Sequence, residues 1–99
     1  MFGGWFVGNF SPTALKTRDC EVAIKYYSVG EREDAHYHRV ATEVTAIVTG
    51  RVRMMGREWA EGDIIVLDPS EATSFEALTD ATTVVVKLPS VGGDKFLVI

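Results

Sequence analysis

The sequence predicts an all-β protein whose strands close into a barrel or stack as a two-sheet sandwich. No long segment carries apolar residues at the 3.6-residue spacing of an amphipathic helix. Short runs of β-branched and aromatic residues recur instead, separated at near-regular intervals by glycines and by Ser-Pro and Asp-Pro steps. Closure is expected because a short all-β chain would otherwise expose long unpaired strand edges.

The N-terminal strand is expected over 4–10, built on the run WFVGNF at 5–10 and opened by Gly3-Gly4. Ser11-Pro12-Thr13 has the marks of a turn or a helix start, with room for one helical turn over 14–18 at most. From Cys20 onward the pattern is β, with strands expected over 20–28, 35–39, 43–49, 51–55, 58–60, 64–67, 73–78, 82–88 and 95–99. The charged run Glu31-Arg32-Glu33-Asp34 reads as a solvated loop, and Gly50, Gly56-Arg57, Glu61-Gly62-Asp63, Asp68-Pro69-Ser70 and Thr79-Asp80 read as turns. A chain of 99 residues makes one domain, 1–99, with a barrel core over about 20–89 between the two terminal strands.

Composition narrows the function classes. With 46% hydrophobic and 24% charged residues, the chain has ordinary globular composition. A formal charge of −4, with its ten basic residues dispersed, weighs against a nucleic-acid role, which calls for a basic patch. Arg51, Arg53 and Arg57 alternate with apolar residues and read as the wet side of a hairpin. Cys20 is the single cysteine, so an internal disulfide and a Cys-cluster metal site are both excluded. As a nucleophile it would need a base, and it reads as a buried, inert thiol. The apolar start is too short to span a bilayer and lacks the positive segment of a secretory signal, so a cytoplasmic location is expected.

The informative segment is GEREDAHYHRVATEVTAIVTG, from Gly30 to Gly50, with the spacing G-x5-H-x-H-x4-E-x6-G. Side chains on a strand alternate faces, so His36 and His38 point one way and Tyr37 the other. A turn through Arg39-Val40-Ala41-Thr42 brings Glu43 onto a neighbouring strand, where Thr45 and Ile47 share its face. Two neutral imidazoles and one carboxylate suit one divalent first-row ion: iron, manganese, zinc, nickel or copper. A His-x-His pair alone is weak evidence, since surface pairs of this kind are common. It gains weight because these are the only two histidines and because the Glu falls where it closes the face.

This segment resembles the first motif of the cupin superfamily, matching it at Gly30, His36, His38, Glu43 and Gly50. GDIIVLDPSEATSFEALTD, over 62–80, is similar to the second motif at Gly62, Asp63, Pro69 and Phe75. The resemblance implies a cupin-type double-stranded β-helix, or jelly-roll, barrel with an extra N-terminal strand. It implies the metal ligands His36, His38 and Glu43 and one divalent transition metal as cofactor. Two departures stand out. Ser70 occupies a usual glycine position, and Thr73 falls where the second motif normally supplies a third histidine.

Thr45, Ile47, Thr73, Phe75 and Tyr26 are expected to line the pocket. Of the adjacent Tyr26 and Tyr27, one must face inward and the other outward. Lys25 and Arg39 would suit an acidic substrate, but a charged side chain on a β surface usually just faces water. Trp5, Phe6, Phe10 and the tail 96–99 exceed what so small a barrel buries, so a homodimer through the terminal strands is expected. The functional expectation is a metal-binding cupin acting on a small polar or acidic metabolite, with oxygenase, isomerase and lyase chemistry all open. The alternative is a non-catalytic cupin that binds a small ligand, such as a sugar, with its metal site weakened by Thr73. Neither nucleic acid nor membrane is expected as a partner.

Overall fold

The computed structural model describes residues 3–98, and among these every regular element is a strand. In chain order they are β1 (Trp5–Gly8), β2 (Leu15–Lys16), β3 (Glu21–Tyr27), β4 (Arg32–His38), β5 (Thr42–Thr49) and β6 (Arg51–Met54). They continue as β7 (Arg57–Ala60), β8 (Ile64–Leu67), β9 (Thr73–Ala77), β10 (Ala81–Leu88) and β11 (Lys95–Leu97). Two sheets result, one ordered β2-β1-β3-β10-β5-β8 and the other β11-β4-β9-β6-β7. Among the described residues no helix is long and apolar enough to cross a membrane.

The expected strands are present, with differences at four places. The first strand stops at Gly8, because the next backbone N–H, that of Asn9, is taken by the Ser90 hydroxyl 2.9 Å away. The segment 14–18 is no helical turn: Leu15 and Lys16 pair in parallel with Val7 and Gly8, and the Ala14 and Thr17 N–H groups donate to Phe6 and Gly8. The expected loop at 31–34 is mostly strand, since Glu31 and Ala77 bond through their backbones and β4 starts at Arg32. The last strand is Lys95–Leu97, and Ile99 lies outside the described residues.

The six-stranded sheet has two unlike faces, set by alternation along four strands in register. Its inner face carries Glu21, Lys87, Glu43 and Leu67 in one row, then Ala23, Val85, Thr45 and Ile65 in the next. Its outer face carries the rows Val22, Val86, Val44, Val66 and Ile24, Val84, Ala46, Ile64. Tyr26 belongs to this outer set and is 76% exposed, so it does not line the pocket; Tyr27, one position on, takes the inward place.

Inside the barrel the apolar residues gather toward one end. Ile47, Val52, Met54, Ile65, Leu67, Phe75, Ala77 and Ala81 form the buried cluster, with Tyr27 and Trp59 packed on it. Ile47 shares the face of Glu43 as alternation requires, yet it belongs to this cluster and not to the pocket wall. Gly50 joins β5 to β6 with φ +86°, and a Cβ there would collide with the Asp80 carbonyl oxygen, so this corner requires glycine.

Candidate metal centre

The other end of the barrel interior is polar. His36 and His38 leave β4 on one face, and Glu43 enters from the start of β5 across the turn at 39–41. Their ligand atoms lie within 4.8 Å of one another, with His38 Nε2 3.4 Å from Glu43 Oε1. Two ligands bound about 2.1 Å from one ion at 90–110° stand roughly 3.0–3.4 Å apart, so a small inward movement of these side chains seats an ion.

Both rings are oriented from behind. His36 Nδ1 lies 3.0 Å from the Asp34 carbonyl oxygen and His38 Nδ1 lies 3.1 Å from that of Asp94. A carbonyl can only accept, so each Nδ1 carries a proton, which leaves Nε2 as the nitrogen an ion would take. Burial pushes the Glu43 carboxyl upward, but the His38 hydrogen bond and the nearby His38, His36 and Lys87 charges outweigh it and leave it below the usual range. Thr45 Oγ1 donates to the second Glu43 oxygen at 3.3 Å. An ionised carboxylate beside two imidazoles is the donor set a divalent transition ion requires, and binding of the ion would displace any proton on Nε2.

Thr73 pairs directly with His36 in the β4–β9 register, so it stands beside the site. Its hydroxyl is committed, however, donating to the Ser74 carbonyl at 2.7 Å and accepting the Met55 N–H at 2.9 Å. It lines the cavity. Phe75 is buried at the cavity wall and packs against the Tyr27 ring, with centroids 4.3 Å apart.

The cavity, about 120 Å³, holds the three donors together with Thr45, Thr73 and Phe75. It also holds groups that the sequence reading passed over. Glu33 was expected in a loop, but it faces inward because the three steps along β4 from Glu33 to His36 match only two on β9, from Phe75 to Thr73. This bulge restores Glu33 to the face of the histidines, which plain alternation would deny it. There it accepts the Tyr27 hydroxyl at 3.2 Å and meets Lys25 Nζ at 3.9 Å. Burial, and then the Glu33 charge, push the Tyr27 phenol far above its ordinary value, so it stays protonated as a donor. Lys25 thus lines the cavity, whereas Arg39 covers the Phe96 ring. Cys20 is partly buried, not fully as expected.

Asp94 is the largest omission. Its carboxylate accepts the backbone N–H groups of Arg39, Val40 and Ala41 at 2.9–3.2 Å, which pins the turn between β4 and β5. Burial alone would raise its carboxyl, but those three bonds and the nearby His38 hold it below the usual carboxylate range. One residue therefore fixes both the turn that delivers Glu43 and, through its carbonyl, the His38 ring. The only signal in the sequence is an Asp after Gly92-Gly93, which reads equally well as a loop.

No protein-family model matches the chain, and no curated protein matches it by sequence. Solved structures do match its fold. An uncharacterized conserved protein with a double-stranded β-helix domain from Klebsiella pneumoniae aligns at TM-score 0.76 and 20% identity, over 84% of this chain and 73% of that one. KdgF from Halomonas sp. aligns at 0.70 and 21%, over 77% and 74%. An RmlC-like cupin protein from Desulfovibrio desulfuricans aligns at 0.69 and 16%, over 76% of each chain. The chain has the double-stranded β-helix fold of the cupins.

Proposed function

We propose that this cupin-fold chain binds one divalent transition metal ion through His36, His38 and Glu43 and acts on a small polar or acidic metabolite beside it. The observation that carries the reading is the orientation of both imidazoles: two backbone carbonyls accept from the Nδ1 atoms, which leaves both Nε2 atoms, grouped with an ionised carboxylate, to hold an ion. Iron, manganese, zinc and nickel all suit this set. When bound, such an ion supplies Lewis acidity or oxygen activation to a ligand in its open positions. The chain's own residues supply the rest. Tyr27 offers a protonated phenol and Glu33 a carboxylate, while Phe75 and Met54 wall off water.

The test is metal stoichiometry in purified protein after reconstitution, read by elemental analysis. The proposal expects about one ion per chain in wild type and its loss in His36→Ala with the circular dichroism spectrum unchanged. Wild type that takes up none of the four metals overturns it. Thr73 supports a second reading, a non-catalytic ligand-binding cupin with weakened metal affinity, because its hydroxyl is already spent on Ser74 and Met55.

The reading includes a homodimer, seated not on the terminal strands but on the outer face of the six-stranded sheet. The two outer rows across β3, β10, β5 and β8 contain eight apolar side chains and no charge, with Ile64 62% and Val66 55% exposed. A charge-free face is complementary to itself, which a two-fold contact requires, and it lets two chains of net charge −4 approach.

A further inference from the structure

We infer that the cavity binds a small organic dianion, such as a short dicarboxylate or 2-oxo diacid, gripped by Lys25 and Lys87, which both lie over the Trp5 ring, and by the Thr83 hydroxyl. The inference rests on the metal reading for its charge balance and on the lysine wall for its selectivity.

Three observations lead to it. First, among the described residues Thr83 Oγ1 is the buried side-chain polar atom without a partner; the residue is 1% exposed and lines the cavity. A buried hydroxyl left unpaired is costly, and a ligand oxygen that reached this one from the cavity would pair it. Second, three lysines, Lys25, Lys87 and Lys95, line the cavity of an acidic protein. The Lys25 and Lys87 ammoniums lie 5.4 and 4.7 Å from the Trp5 ring centroid, so both gather about one indole. Their ionic contacts are long, 3.9 Å to Glu33 and 3.4 Å to Glu21, and each ammonium has three donors. Donors therefore remain for a ligand. Lys95 makes no salt bridge among the described residues, and it pairs with His38 in the β11–β4 register, beside the metal donors.

Third, the charges add up to a stated ligand. Glu33 and Glu43 in the lining, with Glu21 paired to Lys87 beside it, balance the three lysines, so the site is neutral without an ion and carries two positive charges with a divalent one. A dianion restores neutrality in a half-buried site, where an unbalanced charge is expensive. Size agrees. A 150 Å³ cavity accommodates benzene, with six non-hydrogen atoms, so about 120 Å³ encloses roughly five and limits the ligand to a short diacid.

Malonate is the probe, with malonamide as its neutral counterpart of the same size, both titrated calorimetrically into manganese-loaded and into metal-free protein. In the loaded protein, malonate is expected to bind at least about tenfold tighter than malonamide. Lys87→Met should weaken malonate binding about tenfold or more, the loss of one charge-assisted hydrogen bond, while metal content stays unchanged. Lys25→Met provides the same reading should Lys87→Met misfold. Thr83→Val should weaken malonate and raise the melting temperature of the ligand-free protein, a combination that a purely structural threonine would not produce. Equal affinity for malonate and malonamide, or malonate binding unchanged in both lysine variants, overturns the proposal and leaves the metal reading intact. If wild type takes up no metal, the metal reading fails by itself. Lysine-dependent malonate binding to the metal-free protein then still supports the dianion site, and its absence overturns it.

Discussion

Replacing Asp94 by Asn tests whether one carboxylate holds the site's turn in place. The carboxylate accepts three backbone N–H groups, from Arg39 and Val40 at Oδ1 and from Val40 and Ala41 at Oδ2. Asn keeps one oxygen but loses the charge, and its amide places a donor against the Ala41 N–H, in a residue that is 3% exposed. Two bonds losing charge assistance at about 1 kcal/mol each, plus one buried donor left unpaired at about 1–3 kcal/mol, give a loss of roughly 3–5 kcal/mol. That is a large share of the 5–15 kcal/mol typical of a whole domain. Urea unfolding followed by the fluorescence of Trp5 and Trp59 measures it at pH 7. The pH dependence provides an internal control. The folded-state value of Asp94 is lowered, so its contribution is complete above the unfolded carboxyl value near 3.9 and disappears as pH falls through the lower folded one. The gap between wild type and Asp94→Asn should therefore close below about pH 3.9. A variant within about 0.5 kcal/mol of wild type at pH 7, or a gap that widens on acidification, refutes the reasoning.

Metal binding itself should stabilise the fold: at a free ion concentration 100 times Kd the gain is about 2.7 kcal/mol, or roughly 10–20 °C in Tm for a chain of this size. Differential scanning fluorimetry with and without a chelator reads this shift, which His36→Ala should abolish. Ser70 holds φ +73°, and its N–H donates to the His38 carbonyl at 2.6 Å. Ser70→Gly should relieve the left-handed strain and raise stability by up to about 1 kcal/mol in the same unfolding assay, whereas Ser70→Val should lower it. Val66→Asp should convert the proposed dimer to monomer in sedimentation velocity while leaving the circular dichroism spectrum unchanged, because the side chain is 55% exposed and lies outside the barrel core.

The parts of the fold legible in the sequence were those set by local alternation. The placement of His36, His38, Thr45, Thr73 and Phe75 on inward faces needed only strand parity and turns at glycines, and the structure brings these residues to one cavity. Ile47 followed the same parity but fell on the apolar side of an internal boundary that parity does not mark. Tyr26 and Tyr27 could not be told apart because the inward register of β3 depends on its pairing with β10, seen in contacts such as Tyr27 with Ala81. Glu33 was hidden by a bulge, which inserts one residue and reverses the parity of everything before it. Asp94 lay beyond reach for a different reason. Its partners at 39–41 are more than fifty positions away, and a loop aspartate shows nothing of where its acceptors point.

The two histidines are held by unlike means, and this ties the site to the order of the whole barrel. His36 is oriented by a carbonyl two positions back in its own strand, so its geometry persists as long as β4 does. His38 is oriented by a carbonyl from the segment leading into β11, an edge strand of three residues paired only with β4. Short edge strands open at lower free energy than the sheet interior. Each opening of β11 would release the His38 ring, the turn that carries Glu43 and the cavity-lining Lys95 together, while His36 keeps its tether. Two of the three donors thus depend on one short strand, and Asp94 is the residue through which that strand acts on both.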